Sequence, residues 1–324
     1  GNYAFKVDNH DFKVMGGYTY QEFNNEGFWA ENMDFPNDAF SYNNLDAGKW
    51  NKEKGRLGMD SWKSKEKTIA FLGRVNYDYD NLFLVTASLR YEGNSKFGVD
   101  HKWGYFPAAS AAWRFSRLPV FQDSPVVDDL KLRVSYGETG RSGFDRYIAL
   151  AKYSGYGQQI NSDGQWIQVY GPGNNPNTNL SWEKQISYNL GVDYTLFDSR
   201  LSGSVDFFIR KGKDIIADYD APVPPNLHQS ITTNVGTTNS KGVEFQLNWD
   251  AVKTKDFSYS TNLTASYIKS KLESFSNETY TKGYINSDGL PSPGNPGSPQ
   301  RVGDGIEIGS FYGYRYAGVD DKGR

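Results

Sequence analysis

Residues 186–211 read ISYNLGVDYTLFDSRLSGSVDFFIRK. Every second position of the first half is apolar: Ile186, Tyr188, Leu190, Val192, Tyr194 and Leu196. The positions between are Ser187, Asn189, Gly191, Asp193 and Thr195. After Phe197-Asp198-Ser199-Arg200 the alternation resumes through Leu201, Val205, Phe207 and Ile209. Successive side chains of an extended strand point to opposite faces, so a period of two marks a strand with one apolar face. A helix would repeat its apolar residues at i+3 and i+4, and this stretch does not. Two strands separated by four residues form an antiparallel hairpin.

The same period recurs on both sides. Leu130, Leu132, Val134 and Tyr136 alternate with Lys131, Arg133 and Ser135. Val243, Phe245, Leu247 and Trp249 alternate with Glu244, Gln246 and Asn248, and a similar run covers 257–267. Comparable segments lie near 11–23, 67–79, 82–92, 103–115 and 309–317. The links alternate as well. Asp80-Asn81, the four residues after Leu196 and the stretch around Lys253-Thr254-Lys255 are short, and SRLPVFQDSPVVDD is somewhat longer. The links at 93–102, 137–180, 212–241 and 268–308 are long. Strands running up and down in order would gather short turns at one end and long loops at the other. That is the layout of a transmembrane β-barrel. A strand of about 10 residues, tilted about 45°, rises roughly 23 Å, close to the apolar band of such barrels. Tyr77, Tyr79, Tyr105, Trp113, Phe197 and Trp249 sit near strand ends, where interfacial aromatics belong. A soluble β-sandwich, propeller or solenoid also alternates, so the period alone leaves both readings open.

Composition narrows the classes. The chain has 324 residues, a net charge of -3 and a pI near 5.7, which argues against a nucleic-acid binder. With no cysteine, disulfide scaffolds, Cys-ligated zinc and thiol catalysis are excluded. Aromatic residues make up 16% of a chain whose mean hydropathy is -0.68. No stretch supplies the roughly 20 apolar residues of a membrane helix, a test that strands escape. The opening GNYAFKVDNH has no signal-peptide pattern, and VDDKGR closes within a strand-and-turn passage, so the expectation is a segment of something longer.

Five blocks carry a family resemblance: SLRYEGNSKFGVDHKWGYFPAASAAWRFS (88–116), LKLRVSYGETGR (130–141), PNTNLSWEKQISYNLGVDYTLFDSRLSGSVDFFIRKGKDII (176–216), NVGTTNSKGVEFQLNW (234–249) and IGSFYGYRYAGV (308–319). In this order they resemble barrel blocks of the SusC/RagA family of TonB-dependent (TonB-linked) outer-membrane transporters of Bacteroidetes. The resemblance implies an all-β, antiparallel up-and-down transmembrane β-barrel, of which residues 1–324 would be a segment, about half of a 22-stranded barrel. The plug domain, signal peptide, TonB box and terminal barrel strands would lie outside it. It further implies a bacterial outer-membrane location and TonB-dependent uptake of oligosaccharides (glycans) or peptides, with no enzymatic step. The implied partners are a SusD-like surface lipoprotein acting as a lid, TonB–ExbB–ExbD through the missing plug region, outer-membrane lipid and the remaining barrel segments. A siderophore or vitamin receptor of the same architecture is one alternative. A soluble β carbohydrate-binding protein is the other.

No catalytic constellation is present: there is no nucleophile elbow, HExxH or P-loop. The Gly155-Tyr156-Gly157 and Gly171-Pro172-Gly173 stretches read as loop turns, and His10, His101 and His228 have no zinc-ligand spacing. No cofactor or resident metal is expected. Loop calcium is the one open option, at Asp78 with Asp80, Asp34 with Asp38, or Asp320 with Asp321, against the ordinary use of Asp in turns. The candidate substrate-binding residues are Trp166, Tyr170 and Tyr156, in the long 137–180 stretch with Tyr147 and Tyr153 amid Gly, Asn, Gln and Ser. Aromatic faces stack on sugar rings or pack peptide side chains, and amides bond hydroxyls or backbone. The same rings could simply pack the loop onto its neighbours. The Pro- and Gly-rich LPSPGNPGSPQ in 268–308 suits an extracellular lid or partner contact. If the apolar faces meet lipid, then Arg74, Asn76, Arg90, Glu92, Arg114, Lys131, Arg133, Asp193, Asp206, Arg210, Glu244 and Gln246 point into the lumen.

Overall fold

A computed structural model describes residues 1–39, 41, 43–50, 58–276, 281, 283–286, 289, 297–313, 315–319 and 321–323. In chain order the strands are β1 (Asn2–Val7), β2 (His10–Ala30), β3 (Met59–Tyr79), β4 (Phe83–Asn94), β5 (Trp103–Arg114), β6 (Val127–Arg141), β7 (Tyr153–Ile160), β8 (Trp166–Pro172), β9 (Glu183–Leu196), β10 (Leu201–Lys213), β11 (Ile216–Asp220), β12 (Ser230–Asn234), β13 (Thr237–Lys253), β14 (Ser258–Ser274), β15 (Tyr284–Asn286) and β16 (Arg301–Gly303). Ten form one antiparallel sheet in the order β1-β2-β3-β4-β5-β6-β9-β10-β13-β14. The pairs β7–β8, β11–β12 and β15–β16 stand apart as small ribbons within the connections. Short helical turns are described at Phe115–Arg117 and Pro119–Gln122. Among the described residues no helix is long and apolar enough to cross a membrane, which says nothing of strands.

The short links share one end of the sheet. At 80–82 the backbone N–H of Leu82 donates to Tyr79 O at 2.8 Å, and both Asp80 and Asn81 take positive φ. Asp and Asn tolerate that conformation better than most residues, and the Asp78 carboxylate accepts the Asn81 N–H at 2.7 Å. Phe197, Asp198 and Ser199 are left-handed too, held by Arg200 N–H to Phe197 O at 3.2 Å and by Ser199 N–H to the Asp128 carboxylate at 2.9 Å. The β13–β14 link is shorter than the sequence pattern suggests. Pairing continues to Lys253↔Ser258, and Thr254 N–H donates to Phe257 O at 2.8 Å. Neighbouring turns are tied by Asp80 N–H to Asn9 O, Phe197 N–H to Val126 O and Asp250 N–H to Arg200 O.

Register sorts the residues onto two faces, because directly paired residues point the same way. One face carries Val75, Ala87, Ala109, Val134, Leu190, Val205, Phe207, Phe245 and Leu263. Its large apolar side chains are exposed: Val134 and Leu190 at 45%, Phe207 at 52%. No second layer covers this row among the described residues, which is the difference between a barrel wall and half of a sandwich. Two aromatic bands flank it. At the turn end Phe83 stacks on Trp113 (5.7 Å) and Trp113 meets Phe115 (4.2 Å). At the loop end Tyr91 stacks on Trp103 (4.7 Å) and Tyr105 (4.4 Å), and Tyr136 meets Tyr188 (5.3 Å). Buried apolar side chains gather instead where connections meet the strand ends, as Phe97, Phe106 and Trp182 in one cluster and Tyr219, Val235, Leu272 and Phe275 in another.

The strand expected near 309–317 does not form among the described residues. Gly309 and Gly318 take positive φ, and pairing nearby is limited to single bridges, Lys271↔Glu307 and Gln300↔Phe311. The loops read at 137–180 and 212–241 hold the ribbons β7–β8 and β11–β12. Residues 290–296 of the Pro-rich stretch and Asp320 lie outside the described residues.

Candidate functional site

The face opposite the apolar row is charged and hydroxylic. Arg133 on β6 lies beside β9, where Asp193 accepts from its Nε (2.9 Å to each carboxylate oxygen) and from Nη2 at 2.6 Å. The same Nη2 reaches Asp206 on β10 at 3.1 Å, and Lys131 binds Asp193 at 2.8 Å. Register explains the cluster: Lys131 opposes Asp193, and Gly191 lies between Arg133 and Asp206. Gly191 leaves the space the guanidinium needs, since a Cβ there would sit 2.8 Å from Arg133 Nη2 and 2.3 Å from Asp206 Oδ1. A forked Arg–carboxylate pair is the strong form of this contact. The residues expected to face the lumen share this face, and its charges suit contact with water or a polar partner. Asn76 accepts from Thr86 Oγ1 at 3.0 Å, Arg90 pairs with Glu92, and Arg210 lies 4.0 Å from Glu244 on the same face.

At the long-loop end the connections fold together over this polar face. Trp182 is 6% exposed, packs on Phe97 (4.4 Å) and edge-on to Phe106 (5.2 Å), and donates from Nε1 to Lys102 O at 3.0 Å. Gly98 N–H donates to Leu180 O at 3.1 Å, and a Cβ on Gly98 would meet Thr178 O at 1.7 Å. The asparagines of NNPNTN then tie the segment to β12. Asn175 donates to His228 O (2.7 Å) and Ser230 O (2.8 Å) and accepts from the N–H groups of Leu227 and His228. Asn177 donates to Thr232 O at 3.0 Å. Asn234 accepts from Ser181 N–H at 2.8 Å and donates to Ser181 O at 2.9 Å. Lys96 also enters this layer, donating to Ser142 O, with Glu66 at 3.9 Å. Burial pushes its ammonium below the usual lysine range, with Arg146 adding to the shift and Glu66 opposing it.

The β7–β8 ribbon stands out from this layer and holds the three residues singled out in the sequence. Trp166 (65% exposed) opposes Ile160, and Tyr170 (68%) opposes Gly155 across the ribbon. Trp166, Gln168 and Tyr170 alternate onto one face of β8, and Tyr153 opposite Pro172 shares that face. Tyr156 does not join them. It lies in the bulge between Gly155 and Gln158, its ring against Gly171 of the other face, and its hydroxyl donates to Pro172 O. His228 Nε2 meets the same carbonyl at 2.7 Å. Tyr156 therefore closes the ribbon onto the β11–β12 connection, while Trp166 and Tyr170 present free ring surface beside an amide. Trp182 and Asn175 were not singled out in the sequence, although both lie in or beside the NPNTNLSWEK stretch. Asp34 and Asp80 are left-handed turn residues. Among the described residues no three His, Asp or Glu side chains converge to hold a metal ion.

Residues 1–322 match a family described as TonB dependent receptor-like, beta-barrel. The chain is 31% identical over 324 residues to TonB-dependent receptor P3 of Formosa agariphila, covering 97% of this chain and 30% of that protein. It is 27% identical to TonB-dependent receptor SusC of Bacteroides thetaiotaomicron, covering 99% of this chain and 31% of SusC. Among solved structures it superposes on that of the RagAB peptide transporter with a TM-score of 0.83 at 24% identity, covering 99% of this chain and 33% of that one. The chain thus spans about a third of the length of these relatives.

Proposed function

The chain belongs to the TonB dependent receptor-like β-barrel family, and on that premise we propose that it is part of the wall of an outer-membrane transporter that imports oligosaccharides or peptides. The observation that carries this is the two-faced sheet. One antiparallel meander presents an uncovered apolar row between aromatic bands on one side and an Arg133–Asp193–Asp206 cluster on the other. In lipid every backbone group must be paired internally, so a spanning sheet has to close, and further strands of the full-length protein complete the barrel. The apolar row meets acyl chains, and the charged face meets water and the plug. TonB–ExbB–ExbD acts on that plug, and a SusD-like lipoprotein covers the loop end. Transport of this kind makes and breaks no covalent bond in the cargo.

The loop layer supplies the ligand surface in this reading. Trp166 and Tyr170 offer exposed rings on one face of a ribbon, beside Gln168. Stacking on a sugar ring or an apolar side chain uses such rings, and the amide adds directional bonds. Replacing both, Trp166→Ala with Tyr170→Ala, is expected to weaken binding to the full-length protein about tenfold, or about 1.4 kcal/mol. The measurement is calorimetric titration with two probes, a linear gluco-oligosaccharide and a casein peptide digest. The probe that binds the parent protein identifies the cargo class. Unchanged affinity in the double variant would remove the ribbon from the site.

A further inference from the structure

We propose that the outward face at the loop end of β9, β10, β13 and β14 is a binding site for a phosphorylated lipid of the outer leaflet. Lysines there hold the phosphate, and a groove beneath them holds acyl chains. This rests on the reading that the apolar row faces lipid. Six lysines project from that face just past the aromatic band: Lys184, Lys211, Lys213, Lys241, Lys269 and Lys271. Register places Lys184 directly opposite Lys213 and Lys241 directly opposite Lys269. Like charges directly opposite each other destabilise a sheet, so two such pairs on one face, at Ile209 and Lys213 along β10, call for an anion. The carboxylates at hand are too few. Glu138 takes Lys184 at 3.5 Å, Glu307 takes Lys269 at 3.6 Å, and Glu273 is engaged by Asn239 at 2.6 Å. Among the described residues no ion pair engages Lys211, Lys213, Lys241 or Lys271. Elsewhere on this face, charges beyond the band are matched, as in Lys65 with Glu22 (2.5 Å) and Lys63 with Glu26 (2.8 Å).

A surface lysine near a membrane normally extends its ammonium to water. Here three of the lysines, Lys241, Lys269 and Lys271, with Glu273 beside them, rim a groove of about 960 Å³ lined by Tyr188, Leu190, Phe207, Ile209, Val243 and Tyr267. Lys211 and Lys271 flank Asn239 from either side, two strand spacings or about 10 Å apart. Cations above an apolar groove at the membrane boundary match a headgroup phosphate above its chains, the complementarity by which basic clusters hold anionic lipid.

The test uses the full-length transporter, purified from outer membranes in mild detergent and analysed by native mass spectrometry and total phosphorus. The parent protein is expected to retain about one phosphorylated lipid. Combined Lys211→Gln, Lys241→Gln and Lys271→Gln should reduce retention at least tenfold, while Lys63→Gln leaves it unchanged. Phe207→Ala, which spares the lysines, should also reduce it, and millimolar inorganic phosphate should not release the lipid. Absence of bound phosphorus in the parent, full retention in the triple variant, or complete release by inorganic phosphate would each overturn the proposal. Heat-modifiable migration and outer-membrane fractionation of each protein are read in parallel. Their loss in the parent would count against the barrel itself, whereas their persistence with no bound lipid would count against this site alone.

Discussion

Val205→Arg is expected to destabilise the full-length barrel by about 2–4 kcal/mol, and Ser204→Arg, one residue away, by less than about 1 kcal/mol. Val205 lies on the outward face, paired with Val192 on β9 and Phe245 on β13. It is four residues from the turn end of β10, about 13 Å along the strand and roughly 10 Å in height, near the middle of the apolar band. An arginine there must place its guanidinium in hydrocarbon or stretch to the interface. Ser204 points the other way, opposite Asp193 and Gln246, where an arginine finds water and carboxylates. Urea unfolding in lipid vesicles, followed by heat-modifiable migration, reads both. Equal effects at the two positions would mean that the faces do not differ in solvent.

Trp182→Ala is expected to cost about 3–5 kcal/mol, confined to the loop layer. The indole fills the space between Phe97 and Phe106 and donates to Lys102 O. The surroundings cannot close over the gap, because Gly104 and Gly140 already let the rings in: a Cβ on Gly140 would meet Phe106 Cζ at 2.2 Å. Removing the indole therefore frees both the 95–102 connection and the asparagine-tied 173–182 segment. Hydrogen exchange should show loss of protection in these two stretches while β9 and β10 stay protected. Trp182→Phe should fall between, since it keeps the ring packing and loses the Nε1 bond. Unaltered protection in the loops would show that the cluster does not hold them.

The sheet was readable because Ile186, Tyr188, Leu190 and Val192 announce a period of two and Phe197-Asp198-Ser199-Arg200 interrupts it. The signal faded where strands pass beyond the band. In the outer parts of β2 and β3 polar and apolar residues mix on both faces, with Glu22 and Glu26 against Lys65 and Lys63, so the ladder continues without a regular apolar stripe to mark it. β11 has only five residues, too few for periodicity to register. The segment at 309–317 shows the reverse error: its tyrosines and glycines alternate, but a strand also needs a neighbour. Trp166 and Tyr170 could be singled out from composition, whereas the separation of Tyr156 depends on a bulge that the residue types do not reveal. Trp182 and Asn175 act through partners 80 and 53 residues distant, and an asparagine that ties two segments looks in sequence like one that starts a turn.

The account depends on which solvent each face of β9 and β10 meets. These 324 residues contain no cysteine, so single cysteines can be spin-labelled once any elsewhere in the full-length protein are replaced. Electron paramagnetic resonance with oxygen and a nickel chelate as relaxants would then scan 189–192 and 204–207 in lipid vesicles. Oxygen accessibility is expected to peak at 190, 192, 205 and 207, and nickel accessibility at 189, 204 and 206, in opposite phase. Equal nickel accessibility at neighbouring positions, or alternation in the reverse phase, would contradict the assignment of the apolar row to lipid.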